Sequence, residues 1–178
     1  MAAWSGDVEC RMESSGARIT VADINPDMLG VGMERAAQRG IDSLVWSEQN
    51  AETLTFPDAF FDAYTIAFGI RNVTHIDRAL AEAHRVLRYG GRFFCLEFST
   101  NEWPGFAQVY DAYSHRVVPK LGEMIAGDAD SYRYLIESIR RFPPMPEFAA
   151  MIRDAGFVQV KVEPIMGGLV AIHSGWKV

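Results

Sequence analysis

Cysteine is scarce in this chain of 178 residues: there are two, Cys10 and Cys95. Two thiols in unlike contexts build neither a disulfide framework nor a structural zinc site. Long apolar runs are missing too. The hydrophobic residues come in short stretches broken by charge or glycine, well below the roughly 18 residues a spanning helix needs. An excess of base is absent: 17 Lys and Arg stand against 23 Asp and Glu, for a net charge of −6. A domain that neutralised a nucleic-acid backbone should be basic on one face, so this balance argues against that partner class. The four histidines, His75, His84, His115 and His173, are far apart and none pairs at metal-ligand spacing, which predicts no metal. The first residues lack the apolar core of a secretion signal. They carry acids and only Arg11 as a base, unlike a mitochondrial transit peptide. What is present suits one packed domain: 49% hydrophobic and 22% charged residues.

Strand and helix signals alternate along the chain. Arg18–Asp23 reads as a strand ending in an acid. Asn25 and Pro26 then open a helix that runs to Gly40. Ser43–Ser47 is a second strand and 50–59 a polar loop containing Pro57. Phe61–Phe68 is a third strand, closed by Gly69. Thr74 and Asp77, three apart, predict a capping box for a helix reaching about Leu87. Tyr89-Gly90-Gly91 predicts a turn before a fourth strand, Arg92–Glu97. Helices are expected over 105–118, 131–140 and 147–155, followed by a closing strand pair, 157–163 and 169–177. This alternation predicts a doubly wound α/β sheet, in which ligands bind beyond the carboxyl ends of the strands. The residues at the strand ends are therefore the candidates: Asp23, then Asn50 and Ala51, then Gly69 to Asn72, then Glu97.

Asp23 is placed to accept the hydroxyls of a ribose; the alternative is a cap for the helix at Pro26. Asn50-Ala51 offers a side-chain amide and a backbone N–H to an adenine edge; the alternative is an ordinary loop. Gly69 allows a ligand close to the backbone. Arg71 puts a permanent cation at the sheet's carboxyl edge, either to hold a phenolate and orient a water or to form a surface salt bridge. Asn72-Val73-Thr74 reads as turn and cap. Cys95, inside an apolar strand, reads as packing. Tyr110, Tyr113, Tyr132, Tyr134 and Phe142 line an apolar pocket or pack in the core. Asp128 and Asp130 read as a solvated loop.

Several longer motifs are specific. Arg85-Val-Leu-Arg-Tyr-Gly-Gly-Arg-Phe-Phe-Cys-Leu-Glu-Phe-Ser99 resembles the second signature of the ubiquinone/menaquinone biosynthesis C-methyltransferases, with Arg88-Tyr89 where that family usually has Lys-Pro. Val21–Leu29, Phe68–Thr74, Asp130–Leu135, Glu137–Arg140, Asp154–Phe157 and Ala171–Gly175 are similar to the same family in order and spacing. The resemblance covers roughly 17–178 and is nearest to mitochondrial members of animals. It implies a class I S-adenosylmethionine-dependent methyltransferase fold, S-adenosylmethionine as cofactor, and methylation of a ring carbon of a polyprenylated benzoquinol in coenzyme Q synthesis. It places donor contacts on Asp23, Asn50, Ala51 and Ala67, the last lacking the serine hydroxyl common there. Arg71 matches an arginine near the substrate ring. It further implies partners among other coenzyme Q biosynthesis proteins and peripheral contact with the matrix side of the mitochondrial inner membrane.

The N-terminus departs from the pattern. Residues 1–16 are expected to lie outside the family and 17–178 to form a partial methyltransferase domain, without the first strand and the glycine-rich loop that holds the methionine part of the donor. Weak or absent donor binding by the isolated chain follows as an expectation, as do exposed strand edges. The alternative function is that of a non-catalytic component of a coenzyme Q biosynthetic complex. A dinucleotide-dependent oxidoreductase is a further rival, since Asp23 suits both cofactors, but its glycine fingerprint is absent.

Overall fold

The computed structural model describes residues 16–99 and 129–178. The expected helix over 105–118 lies outside them, as do Cys10, Tyr110, Tyr113, His115, Asp128 and the Tyr132 side chain. In chain order the elements are β1 (Thr20–Asp23), α1 (Pro26–Gln38), β2 (Val45–Glu48), β3 (Phe61–Ala67), a 3-10 turn (Ile70–Asn72) and α2 (Ile76–Val86). Then come β4 (Leu87–Phe98), α3 (Ala129–Arg141), α4 (Met145–Asp154), β5 (Val158–Ile165), a second 3-10 turn (Met166–Gly168) and β6 (Val170–Trp176).

The strands form two sheets. β1 pairs with β2 in parallel, with Thr20 opposite Val45 and Asp23 opposite Glu48. The larger sheet has the order β3-β4-β6-β5: β3 and β4 are parallel, and β6 runs antiparallel to both β4 and β5. No described strand joins β1 to β3.

Helix α1 begins where the sequence predicts. The Asn25 side chain accepts the Asp27 N–H at 2.9 Å, Pro26 occupies the first turn, and Gly40 takes a positive φ of 69° just past the end. Its buried residues, Leu29, Gly32 and Ala36, recur at helical spacing and face Val21 and Leu44. A Cβ at Gly32 would lie 2.6 Å from the Trp46 ring, so any larger residue there displaces that ring.

The capping box at Thr74 and Asp77 is not formed. His75 is the cap residue of α2 and makes no side-chain capping bond. Instead Glu52, from the loop after β2, accepts the N–H groups of Thr74 (3.1 Å) and His75 (3.2 Å). The helix-start signal was real, but a distant carboxylate fills it. The turn at Tyr89-Gly90-Gly91 is also corrected: these residues belong to β4, as an irregularity that carries the partner of Phe61 at Leu87 to the partner of Ala63 at Arg92. Gly90, with φ +77°, allows that detour.

The main core lies on one side of the larger sheet. Leu80, Ala83 and Val86 from α2, and Phe148 and Ile152 from α4, cover Tyr64, Ile66, Phe93 and Cys95. Cys95 is buried, as packing requires. Burial along β4 alternates with period 2: Gly91, Phe93, Cys95 and Glu97 are buried, while the residues between them are half exposed. That register carries a carboxylate, Glu97, into line with the core.

Candidate functional site

Three loops meet at the carboxyl ends of β1, β2 and β3. They enclose a cavity of about 360 Å³ lined by residues 22–25 and Met28, by 49–52, and by Phe68, Gly69 and 72–74. That size falls within the range of small-molecule sites.

Asp23 ends β1 and lines the cavity. One of its carboxylate oxygens accepts the Asn25 N–H at 2.9 Å, which tightens the turn into α1. Capping falls to Asn25, so the cap alternative for Asp23 is set aside. After β2 the chain is steered by its own polar side chains. Asn50 accepts the Glu52 N–H at 2.9 Å. Gln49 exchanges two bonds with Thr55, accepting from its N–H at 2.9 Å and donating to its hydroxyl at 2.7 Å. Asn50 and Ala51 are thereby held on the cavity wall. Ala67, the last residue of β3, does not line the cavity; its two successors, Phe68 and Gly69, do.

Arg71 sits behind the wall. Its guanidinium donates to Glu97 at 2.8 Å, to the Phe68 carbonyl and to the Ser138 hydroxyl at 3.3 Å. It lies 5.4 Å from the centre of the Phe98 ring. The side chains of Arg71 and Glu97 are 5% and 1% exposed, so the surface salt bridge weighed for Arg71 is corrected to a buried one. Burial pushes the Glu97 carboxyl above its ordinary value, opposed first by the Arg71 cation and then by the N–H groups of Phe98 and Arg71. The hollow thus unites Asp23, Asn50 and Ala51 with the turn that carries Arg71, but Arg71 itself does not line it.

Sequence reasoning missed Met28, Gln49 and Glu52 on the lining. Met28 had a signal: it follows Asp23 by one helical turn past the cap. Glu52 had none, because its partners lie more than twenty residues ahead. It also missed the clamp on the 50–59 loop. Arg85 donates to Leu54 O (2.9 Å), Phe56 O (2.8 Å), Asp58 (2.7 Å) and both oxygens of Glu82 (2.7 and 2.8 Å). Tyr134 is more than half exposed, and its hydroxyl donates to Asn72 at 3.2 Å. Phe142 is buried in the core beside Phe148. Among the described residues, no three His, Cys, Asp or Glu side chains converge as metal ligands.

An acid at the end of the strand before a capped helix, and a cavity spanning three consecutive strand ends, are features of doubly wound α/β folds that bind nucleosides, and the fold is shared with class I methyltransferases. Phosphoethanolamine N-methyltransferase 2 of Haemonchus contortus, solved with S-adenosyl-L-methionine, superposes with a TM-score of 0.70 at 12% identity, over 97% of this chain and 46% of that one. The chain belongs to the ubiE/COQ5 methyltransferase family, whose model matches residues 1–177. It is 61% identical over 178 residues to the ubiquinone/menaquinone biosynthesis C-methyltransferase UbiE of Zymomonas mobilis, covering 100% of this chain and 74% of that protein. It is also 61% identical over 163 residues to the mitochondrial 2-methoxy-6-polyprenyl-1,4-benzoquinol methylase of Arabidopsis thaliana, covering 90% of this chain and 57% of that protein. Equal identity to a bacterial and a plant mitochondrial relative does not single out the animal branch. By family, the chain is an S-adenosylmethionine-dependent methyltransferase.

The residues present suit the nucleoside part of that donor. The Asp23 carboxylate matches a vicinal diol, the 49–51 stretch supplies amide groups, and Met28, Phe68 and Val73 supply apolar surface for a base.

Proposed function

We propose that the chain methylates a ring carbon of a polyprenylated benzoquinol in ubiquinone synthesis, with its methyl donor seated in the cavity at the ends of β1, β2 and β3. The observation that carries this reading is the convergence of Asp23, Asn50 and Ala51 with Gly69 and Asn72 on one hollow. S-Adenosylmethionine supplies an electrophilic methyl group on a sulfonium. The residues of the chain bind and orient. Asp23 accepts the ribose hydroxyls, Asn50 and Ala51 hold the adenine edge, and Gly69 lets the ring substrate approach the backbone. Positioning of this kind accounts for much of the rate of an in-line transfer. Arg71 enters as a positioning residue: with its guanidinium given to Glu97, Phe68 and Ser138, contact with a phenolate requires its release from Glu97. Full turnover by Arg71→Ala refutes either role.

The same reading includes peripheral contact with the matrix face of the mitochondrial inner membrane and association with other coenzyme Q biosynthesis proteins. Support for it is the family and the mitochondrial name of the Arabidopsis relative. The test is equilibrium binding of S-adenosylhomocysteine by the chain and by Asp23→Ala. Loss of two charge-assisted hydroxyl contacts weakens binding about a hundredfold. Equal affinities overturn the donor site. Co-purification with coenzyme Q proteins, without methyl transfer, favours a non-catalytic component.

A further inference from the structure

Phe68 is the hinge of the cavity wall. Its N–H still donates to Leu96 O at 2.8 Å, in line with the β3–β4 ladder. Its own φ is then +52°, a left-handed conformation that side chains other than glycine and asparagine rarely adopt. This reversal sends Gly69 and Asn72 onto the cavity lining. A residue held in that region persists only where its surroundings fix it. Here the fixing group is the Arg71 guanidinium: its Nη1 donates to the Phe68 carbonyl and, from the same nitrogen, to Glu97. Glu97 also accepts the backbone N–H groups of Arg71 (3.4 Å) and Phe98 (2.8 Å). The Phe68 and Phe98 rings lie 4.8 Å apart, closing the turn over β4. A buried ion pair seldom adds stability over an apolar pair of equal volume, so what it secures is geometry.

We propose that Glu97 is a positioning residue of the donor site: through Arg71 it holds Phe68 in the left-handed turn that presents Gly69 and Asn72 to the donor. The inference rests on the donor-site reading above and deepens it. Glu97 does not line the cavity; its influence passes through Arg71, by the guanidinium and by the backbone N–H.

The test uses the full chain, with S-adenosylhomocysteine as the probe in titration calorimetry. Glu97→Gln keeps the shape and removes the charge, and is expected to weaken binding about tenfold at unchanged stoichiometry, the loss of one charge-assisted bond. Arg71→Lys, which keeps the charge but cannot bridge three partners, is expected to do the same. In a Phe68→Gly background, glycine takes the left-handed turn unaided, and adding Glu97→Gln is expected to cost less than about twofold. An equal loss in both backgrounds, or no loss in either single variant, overturns the proposal.

Amide exchange is read without ligand at Asn72 and Val73, whose N–H groups bond to Gly69 O and Ile70 O. Glu97→Gln is expected to speed it about tenfold, and unchanged exchange overturns the clamp. If the unmodified chain binds no probe, the donor-site reading fails by itself and the exchange comparison still decides the clamp.

Discussion

Replacing Arg85 with lysine tests whether the 50–59 loop is held from α2. The arginine spends its guanidinium on five acceptors: the carbonyls of Leu54 and Phe56, one oxygen of Asp58 and both of Glu82. Glu82 in turn accepts the Leu54 N–H at 2.7 Å, so the loop is gripped through donors and acceptors together. A lysine at 85 has three donors on a point charge and cannot match a planar fork of five. Two or more bonds are lost. At about 1 kcal/mol each in a site where the Arg85 side chain is 31% exposed, the cost is about 2 kcal/mol. For a chain of this length that is a fall of roughly 4–8 °C in melting temperature. The assay is thermal unfolding followed by circular dichroism, with limited proteolysis of 50–59. Arg85 also holds the Glu82 carboxyl below its usual range, chiefly by direct hydrogen bonding. A depressed carboxylate contributes stability above its unfolded pKa and loses it as pH falls through the folded value. The gap between wild type and Arg85→Lys therefore narrows below about pH 4. A melting change under about 1 °C, or a gap that widens in acid, refutes the argument.

His173 is 1% exposed. Its Nε2 lies 3.3 Å from Met145 O, its Nδ1 has no partner among the described residues, and burial holds its pKa below the ordinary value. A histidine depressed on folding keeps its stability contribution above the unfolded pKa and loses it as pH falls from there towards the folded value. Urea midpoints are therefore expected to drop from about pH 7 to 5, and less steeply in His173→Phe; parallel curves refute this. Phe148 is fully buried, with its ring 4.9 Å from Phe142 and 4.8 Å from His173. Phe148→Ala is expected to cost about 3–5 kcal/mol in chemical denaturation, and a cost under about 1.5 kcal/mol means that the α4 face repacks.

The order of elements was legible because each is marked by neighbours in sequence. Asn25 and Pro26 open α1, Gly69 follows β3, and Gly156 follows α4. The two places that misled have local causes as well. Tyr89-Gly90-Gly91 has turn chemistry, and the backbone uses it for a detour inside β4 instead of a reversal. Thr74 and Asp77 stand at capping-box spacing, but the Glu52 carboxylate takes the Thr74 N–H that Asp77 would accept, together with the His75 N–H. The expectation of a parallel sheet holds for β1–β2 and β3–β4, and β5 and β6 close the larger sheet antiparallel.

The candidate site divides along the same physical line. Asp23 and Asn50 act on backbone two residues ahead, a range that a sequence exposes directly, and both stand on the cavity. Arg71 and Glu97 are separated by 26 residues, Arg85 and Asp58 by 27, and Arg71 and Ser138 by 67. A cation read alone at a strand end reads as free for a ligand; whether it is free depends on which acid the sheet register delivers beside it. Period-2 burial along β4 puts Glu97 on the same face as Phe93 and Cys95, where an ionised carboxylate is costly without a partner. Arg71 is the cation within reach, and its charge answers that demand before any substrate arrives. Local signals thus tell which loops face a ligand, while long-range pairing decides which side chains in those loops touch it and which hold the wall in place.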